Sequence, residues 1–221
     1  MSLKLEADVE LDHLVVACET LEQGDAWWRR LAGVAASPGG SHPGWGTHNL
    51  VLRLDARTYL ELIAADPAQP APALPRPFGL DDPALRAQLA ERPRLVHFVC
   101  RVASLLEPAA EGMRIEAKTR GALSWHIEMP ADAITAARRW ADPQRLLPTR
   151  IEWTGGAAPV RHPLDSLENR GVALRSLRIG APDDVALPAS LLDDPRIVVH
   201  RCGEPTLVAD LRTPLGSRSI D

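Results

Sequence analysis

The feature that most constrains this chain is a short apolar strand with a histidine inside it, written twice. Residues 11–17 read LDHLVVA and residues 94–100 read RLVHFVC, so His97 falls over His13 at an offset of 84 (97 − 13). Both runs are short, apolar and rich in β-branched residues, the composition of a buried strand. A second motif echoes in the same order. Residues 59–63 read YLELI and residues 149–153 read TRIEW, which sets Glu152 over Glu61 at an offset of 91 (152 − 61). One loop absorbs the difference between the two offsets. A chain that carries the same strand and hairpin twice is expected to fold as repeated units sharing a core.

The intervening residues fill in the unit. Glu19 or Thr20 opens a helix over 21–32 and Gly33 ends it. Residues 37–40 (SPGG) and 42–44 (HPG) read as turns. Strands over 47–54 and 59–64 form a hairpin centred on Ala56, so that opposed residues have numbers summing to 112. Leu50, Leu52 and Leu54 then share a greasy face with Leu62, Leu60 and Thr58, while Asn49, Val51 and Arg53 share the other with Ile63, Glu61 and Tyr59. A slip of one residue would exchange the faces.

Seven prolines fall within residues 67–93, which read as a stiff connector. After the strand at 94–102 come a helix-like patch near 104–111, strands at 115–118 and 123–129, an insertion over 131–148 and the TRIEW strand. A third echo begins at 174–179, where Ser176 takes the histidine's place, and a hairpin of 196–201 with 207–211 follows. The expected organisation is a first βαβββ module over 9–66, the connector, a second module over 94–165 and a partial third over 166–221.

Composition narrows the function classes. The 25 basic residues are scattered and the net charge is −4, which gives a nucleic-acid role no support. No apolar run reaches membrane-span length, and the first residues lack the pattern of a signal peptide. Three cysteines far apart, Cys18, Cys100 and Cys202, suit a reducing cytoplasm rather than a disulfide framework. There is no P-loop, GxGxxG, CxxC pair or GxSxG, so nucleotide binding and serine hydrolysis lack support.

A histidine strand, a helix and a hairpin ending in glutamate, all repeated, resemble the vicinal oxygen chelate superfamily. Within it, the stretch His42-Pro43-Gly44-Trp45-Gly46-Thr47-His48-Asn49, followed by Thr58-Tyr59-Leu60-Glu61-Leu62-Ile63, resembles the glyoxalase-like domain proteins; Trp125, Trp153 and His162-Pro163 fit the same pattern. The resemblance covers roughly residues 9–180. It implies an α+β fold in which paired βαβββ modules form a cup-shaped mixed sheet with helices outside. It also implies a small oxygen-rich ligand in the cup and, in metal-using relatives, a divalent ion. Carried over position by position, the metal ligands would be His13, Glu61, His97 and Glu152.

Two imidazoles and two carboxylates suit Zn, Ni, Fe or Mn, and an ion with open coordination sites could serve lyase, isomerase or dioxygenase chemistry. The alternative for His97 and Glu152 is that of polar residues at strand ends. Trp45 between Gly44 and Gly46 offers a flat wall on a bendable backbone, and Thr47 and Asn49 bring polar groups to it, as small-molecule pockets require. His48 is the candidate general base, or else a residue that caps a turn; the hairpin register aims it at the leucine face. Trp125, Trp153 and His162 complete the expected ligand-binding set. His126, His200 and the Trp27–Trp28 pair read as structural. The rival function is metal-free binding or sequestration by a tryptophan-lined pocket, in a monomer or homodimer.

Overall fold

The computed structural model describes residues 8–105, 109, 111–155 and 162–221. The first module runs β1 (Val9–Ala17), α1 (Leu21–Ala32), β2 (Ser37–His42), β3 (Thr47–Arg53) and β4 (Tyr59–Ala65). Helix α1 starts where the Thr20 side chain accepts from the Gln23 amide, and stops where Gly33 takes φ 76°. Such a cap contributes about 1 kcal/mol. Gly24, Trp28 and Ala32, four residues apart, are its buried face. Gly24 is required there, because a Cβ would come within 2.5 Å of Cys18 Sγ.

The β3–β4 register is the expected one, from Thr47 opposite Ala65 to Arg53 opposite Tyr59. The SPGG stretch differs from expectation. It is strand β2, at the edge of the sheet, paired with β3 from Ser37 opposite Val51 to His42 opposite Thr47. An edge tolerates Pro38, and the glycines serve close approach rather than a turn.

The second module contributes β5 (Arg94–Val102), β6 (Met113–Arg120), β7 (Leu123–Pro130) and β8 (Thr149–Trp153). The helix expected near 104–111 lies partly outside the described residues. Together the modules make one eight-stranded sheet in the order β2-β3-β4-β1-β5-β8-β7-β6. Its two halves are related by an axis between β1 and β5. His13 pairs with Val99 and Val15 with His97, two antiparallel pairs that exchange under the expected offset of 84 (97 − 13, 99 − 15). The sheet curls so far that its two edge strands meet through side chains, with His42 of β2 touching Arg120 of β6.

The two halves are covered differently. Outside the first lies α1. Outside the second lies a separate four-stranded sheet, β9 (Ala173–Ala181), β10 (Ile197–Arg201), β11 (Thr206–Thr213) and β12 (Gly216–Ile220), with the short α4 (Ala189–Leu192) after β9. Leu174, Leu177, Ile179 and Leu211 of this sheet join Leu14, Trp28, Leu60, Phe98 and Cys100 in one apolar core. The element order is again βαβββ, but the strand order is β10-β9-β11-β12. β10 and β11 therefore flank β9 instead of forming the expected hairpin with each other. The segment after Arg201 arches over the end of β9, where the Cys202 amide donates to the Ala181 carbonyl.

Inside, the proline connector is more than a spacer. It carries a 3-10 turn at Pro77–Gly79 and helix α2 (Pro83–Glu91), capped by Asp82. Phe78, Leu80 and Leu89 are buried in the second half of the cup with Val96, Val99, Met129 and Ile151, and Trp140, after α3 (Ala133–Arg139), packs against them. Phe78 holds φ 60°, a conformation costly for a bulky residue and sustained here by burial. No helix among the described residues is long and apolar enough to cross a membrane.

Candidate functional site

The first half of the cup is left for polar groups. The β1–β5 register shifts between Leu11 and His13, and this bulge turns Asp12 and His13 together to the inside. Asp12 is fully buried. It accepts from His13 Nδ1 at 2.7 Å, His162 Nε2 at 3.0 Å and Trp153 Nε1 at 3.1 Å. Burial alone would raise its pKa, but the hydrogen bonds and charges of His13 and His162 outweigh it and hold the carboxyl well below the usual range. On its other side, His13 Nε2 lies 3.7 Å from Glu61 Oε2. The ring stacks on Tyr59 at 4.5 Å. Burial, with the nearby charges of Asp12 and Glu61, pushes the Tyr59 phenol well above its ordinary pKa and keeps it protonated.

Glu61 Oε1 accepts from Asn49 Nδ2 at 2.5 Å, and Asn49 Oδ1 accepts from Arg120 Nη1 at 3.1 Å. This amide orientation is the one the charges demand, since a carboxylate must accept and a guanidinium must donate. The same Arg120 nitrogen meets His42 Nε2 at 3.0 Å, which leaves the His42 proton on Nδ1, facing Thr47 Oγ1 at 3.0 Å. Burial pushes the His42 pKa down to about 4, so the ring is neutral. The SPGG glycines make room for this network. A Cβ on Gly39 would lie 2.0 Å from Asn49 Oδ1, and one on Gly40, at φ 142°, would lie 2.9 Å from Arg120 Cδ.

The contacts close into a circuit. Arg120 lies 5.9 Å from the Trp125 ring centre, Trp125 lies 5.6 Å from Trp153, and the Trp153 indole returns to Asp12. Beside the circuit is a cleft of about 160 Å³ lined by Trp45, Leu74, Pro75, Met129, Glu116 and Lys118, among others. Trp45 Nε1 donates to Glu116 Oε2 at 3.0 Å, and Lys118 stands 4.7 Å over the Trp45 ring. The hydrogen bonds of Glu116 to Lys118 and Trp45 overcome its burial and lower its pKa.

Of the residues expected from sequence, His13, Glu61, Asn49, Trp125 and Trp153 are in the circuit, and His162 joins it through Asp12. Trp45 lines the cleft, and Thr47 supports His42. Three others lie elsewhere. His48 is on the leucine face, 3.9 Å from Asp66 at Nδ1, as the hairpin register dictates. His97 is buried in the second half, with Nδ1 at 2.8 Å from the Arg145 carbonyl and Nε2 at 3.0 Å from Thr149 Oγ1. Burial and the Arg139 charge depress its pKa well below the ordinary value.

Glu152 points out of the cup, accepting from the Leu105 amide at 2.9 Å and 3.3 Å from His126 Nδ1. Symmetry explains why. Glu61 pairs with Val15, whose counterpart is Val99, and Val99 pairs with Thr149. The counterpart of Glu61 is thus Thr149, three positions before Glu152 and on the opposite face from it. Four donors do not converge, and among the described residues no group of three or more His, Cys, Asp or Glu is arranged to hold a metal. The donor set implied by resemblance does not fit a shared ion, because a threonine hydroxyl replaces one carboxylate and both His97 nitrogens are engaged.

Sequence reasoning missed Asp12, His42 and Arg120. One legible signal existed for Arg120: Arg114, Glu116, Lys118 and Arg120 recur every second residue, a charged strand face alternating with Met113, Ile115, Ala117 and Thr119. Asp12 carried none, since a bulge cannot be read from an apolar run.

The profile of the glyoxalase-like domain family matches residues 11–193 of the 221. The chain belongs to that family. This glyoxalase-like protein is accordingly a member of the vicinal oxygen chelate superfamily, with the curled sheet of paired modules described above. No curated protein matches it. Solved structures similar to it include a methylmalonyl-CoA epimerase from Mycobacterium tuberculosis, at 16% identity over 69% of this chain and 91% of that one, with a TM-score of 0.38. A methylmalonyl-CoA epimerase in complex with methylmalonyl-CoA and NH4+ gives 16% identity over 70% and 99%, with a TM-score of 0.39. A hypothetical protein from Bacillus halodurans C-125 gives 15% over 65% and 92%, with a TM-score of 0.36. At those scores none of them bears on the chemistry of this chain.

Proposed function

We propose that this protein binds a small oxygen-rich molecule in the Trp45 cleft, which residues of both modules line, through hydrogen bonds and aromatic walls rather than through a four-donor metal centre. One observation carries the reading: the Trp45-lined cleft, walled also by Met129 and Trp140, adjoins the polar circuit, with Trp45 beside His42 and with Glu116 and Lys118 on the strand face that carries Arg120. Mostly apolar walls with a few convergent polar groups are the make-up of a small-molecule site. The test is titration of chelator-treated protein with small oxygenated aromatics, followed by tryptophan fluorescence and by calorimetry. Binding is expected to survive the chelator and to be lost in Trp45→Ala. Dependence on a stoichiometric divalent ion, or binding indifferent to Trp45, overturns the reading.

Proton-transfer catalysis at the same site is a second reading, favoured by a specific geometry. Asp12 orients the His13 ring, and His13 Nε2 and Glu61 Oε2 stand 3.7 Å apart, close enough for one ligand atom to reach both. Turnover of a bound molecule, abolished in Glu61→Gln with binding retained, is the result that reading requires.

A further inference from the structure

Most of the charged side chains around the cup have their donors or acceptors engaged. Asp12 meets His13 and His162, and Glu116 meets Arg114 and Lys118. Arg53 spends its donors on the Leu164 and Leu167 carbonyls. Arg120 has no carboxylate partner among the described residues. Its Nη1 serves two neutral acceptors, Asn49 Oδ1 and His42 Nε2, and the Asn49 amide is interposed between it and Glu61. Its Nε and Nη2 make no hydrogen bond among the described residues, and neither is sealed from solvent.

A half-buried guanidinium held in place through one nitrogen, with its other edge unused, is built to receive an acceptor pair. The Nε–Nη2 edge presents two parallel N–H groups, whose spacing matches the two oxygens of a carboxylate. The surroundings add to the fit. Trp125, its ring centre 5.9 Å from the guanidinium, supplies a flat apolar wall beside the charge. His42, kept neutral, accepts from Arg120 without adding a competing charge.

We infer that the molecule bound in the cup carries a carboxylate, and that Arg120 is the residue that recognises it. This rests on the cup being the binding site. The experiment is calorimetric titration of the full chain with benzoate and with benzamide, which share shape and differ in charge. Benzoate is expected to bind about tenfold more tightly or better, the range for a hydrogen bond to a charged group. Arg120→Met is expected to remove that preference, bringing the ratio of benzoate to benzamide affinity down to about one, whatever it does to the affinity of either probe alone. Arg120→Lys, which keeps charge and stem but not the fork, is expected to keep part of it.

Equal binding of both probes by the wild type, lost in Trp45→Ala, overturns the carboxylate and leaves the cup reading standing. A full benzoate preference in Arg120→Met or in Arg120→Lys overturns the role of the fork. Failure of both probes to bind at millimolar concentration overturns the cup reading and this inference with it.

Discussion

The two halves of the sheet are built on one plan and used in opposite ways. His13 and His97 occupy equivalent strand positions, and each faces a residue on the parallel neighbour strand. In the first half that residue is Glu61, and the pair stands 3.7 Å apart. In the second it is Thr149, in hydrogen-bond contact, with the other imidazole nitrogen tied to the Arg145 carbonyl. The first half keeps a hydrogen-bonded polar circuit inside, whereas inside the second Phe78, Leu80 and Leu89 pack with Val96, Val99 and Ile151. A duplicated module thus retains its frame while one copy acquires a polar interior and the other an apolar one.

That contrast can be broken by experiment, and the largest effect is expected at Asp12. Asp12→Ala leaves three buried donors, on His13, His162 and Trp153, without their acceptor. Loss of a buried charged partner costs about 3–5 kcal/mol, so denaturant unfolding is expected to show a loss in that range. A loss under 1 kcal/mol, on the same scale as a surface change, would mean that Asp12 does not hold the first half together.

Next comes pH. His42 is held neutral, with its pKa lowered from 6.5 to about 4, so the unfolded chain binds more protons than the folded one between those values. Stability is full above pH 6.5 and falls as pH drops toward 4, by about 3 kcal/mol at 1.36 kcal/mol per pKa unit. His97, depressed by the same cause, adds a loss of the same sign. His42→Gln should flatten the slope measured by unfolding at a series of pH values; an unchanged slope would remove His42 from the account.

The third prediction concerns His97 itself. His97→Leu strands Thr149 and the Arg145 carbonyl, and is expected to cost about 2 kcal/mol. Ligand binding in the cup should not change. If binding weakens along with stability, His97 is part of the site after all. The smallest effect belongs to Glu152. Glu152→Gln keeps an acceptor for the Leu105 amide on the outer face, so about 0.5 kcal/mol or less is expected, with no change in ligand affinity or metal content.

Much of this was legible in the residues. The alternation in 47–54 and 59–64 set the β3–β4 register and with it the inward direction of Asn49, Glu61 and Tyr59, because a strand's faces alternate strictly and one face had to be buried. The offset of 84 related the two histidine strands correctly. The same local logic placed His48 on the outer face. It could not place Glu152, because a likeness between two short strands fixes register only to within a few residues, and three residues reverse the face.

The amino-acid order by itself determined the repeated strands, the helix with its caps and the hairpin, since periodicity and capping act over a few residues at a time. Tertiary structure alone decided which copy of the module would carry the polar circuit. That choice depends on contacts among residues far apart in the chain: the bulge at Asp12 meeting His162, Arg120 of one edge strand reaching Asn49 across the cup, and the connector's Phe78 filling the other half. No local pattern encodes such meetings, because they exist only once the sheet has curled.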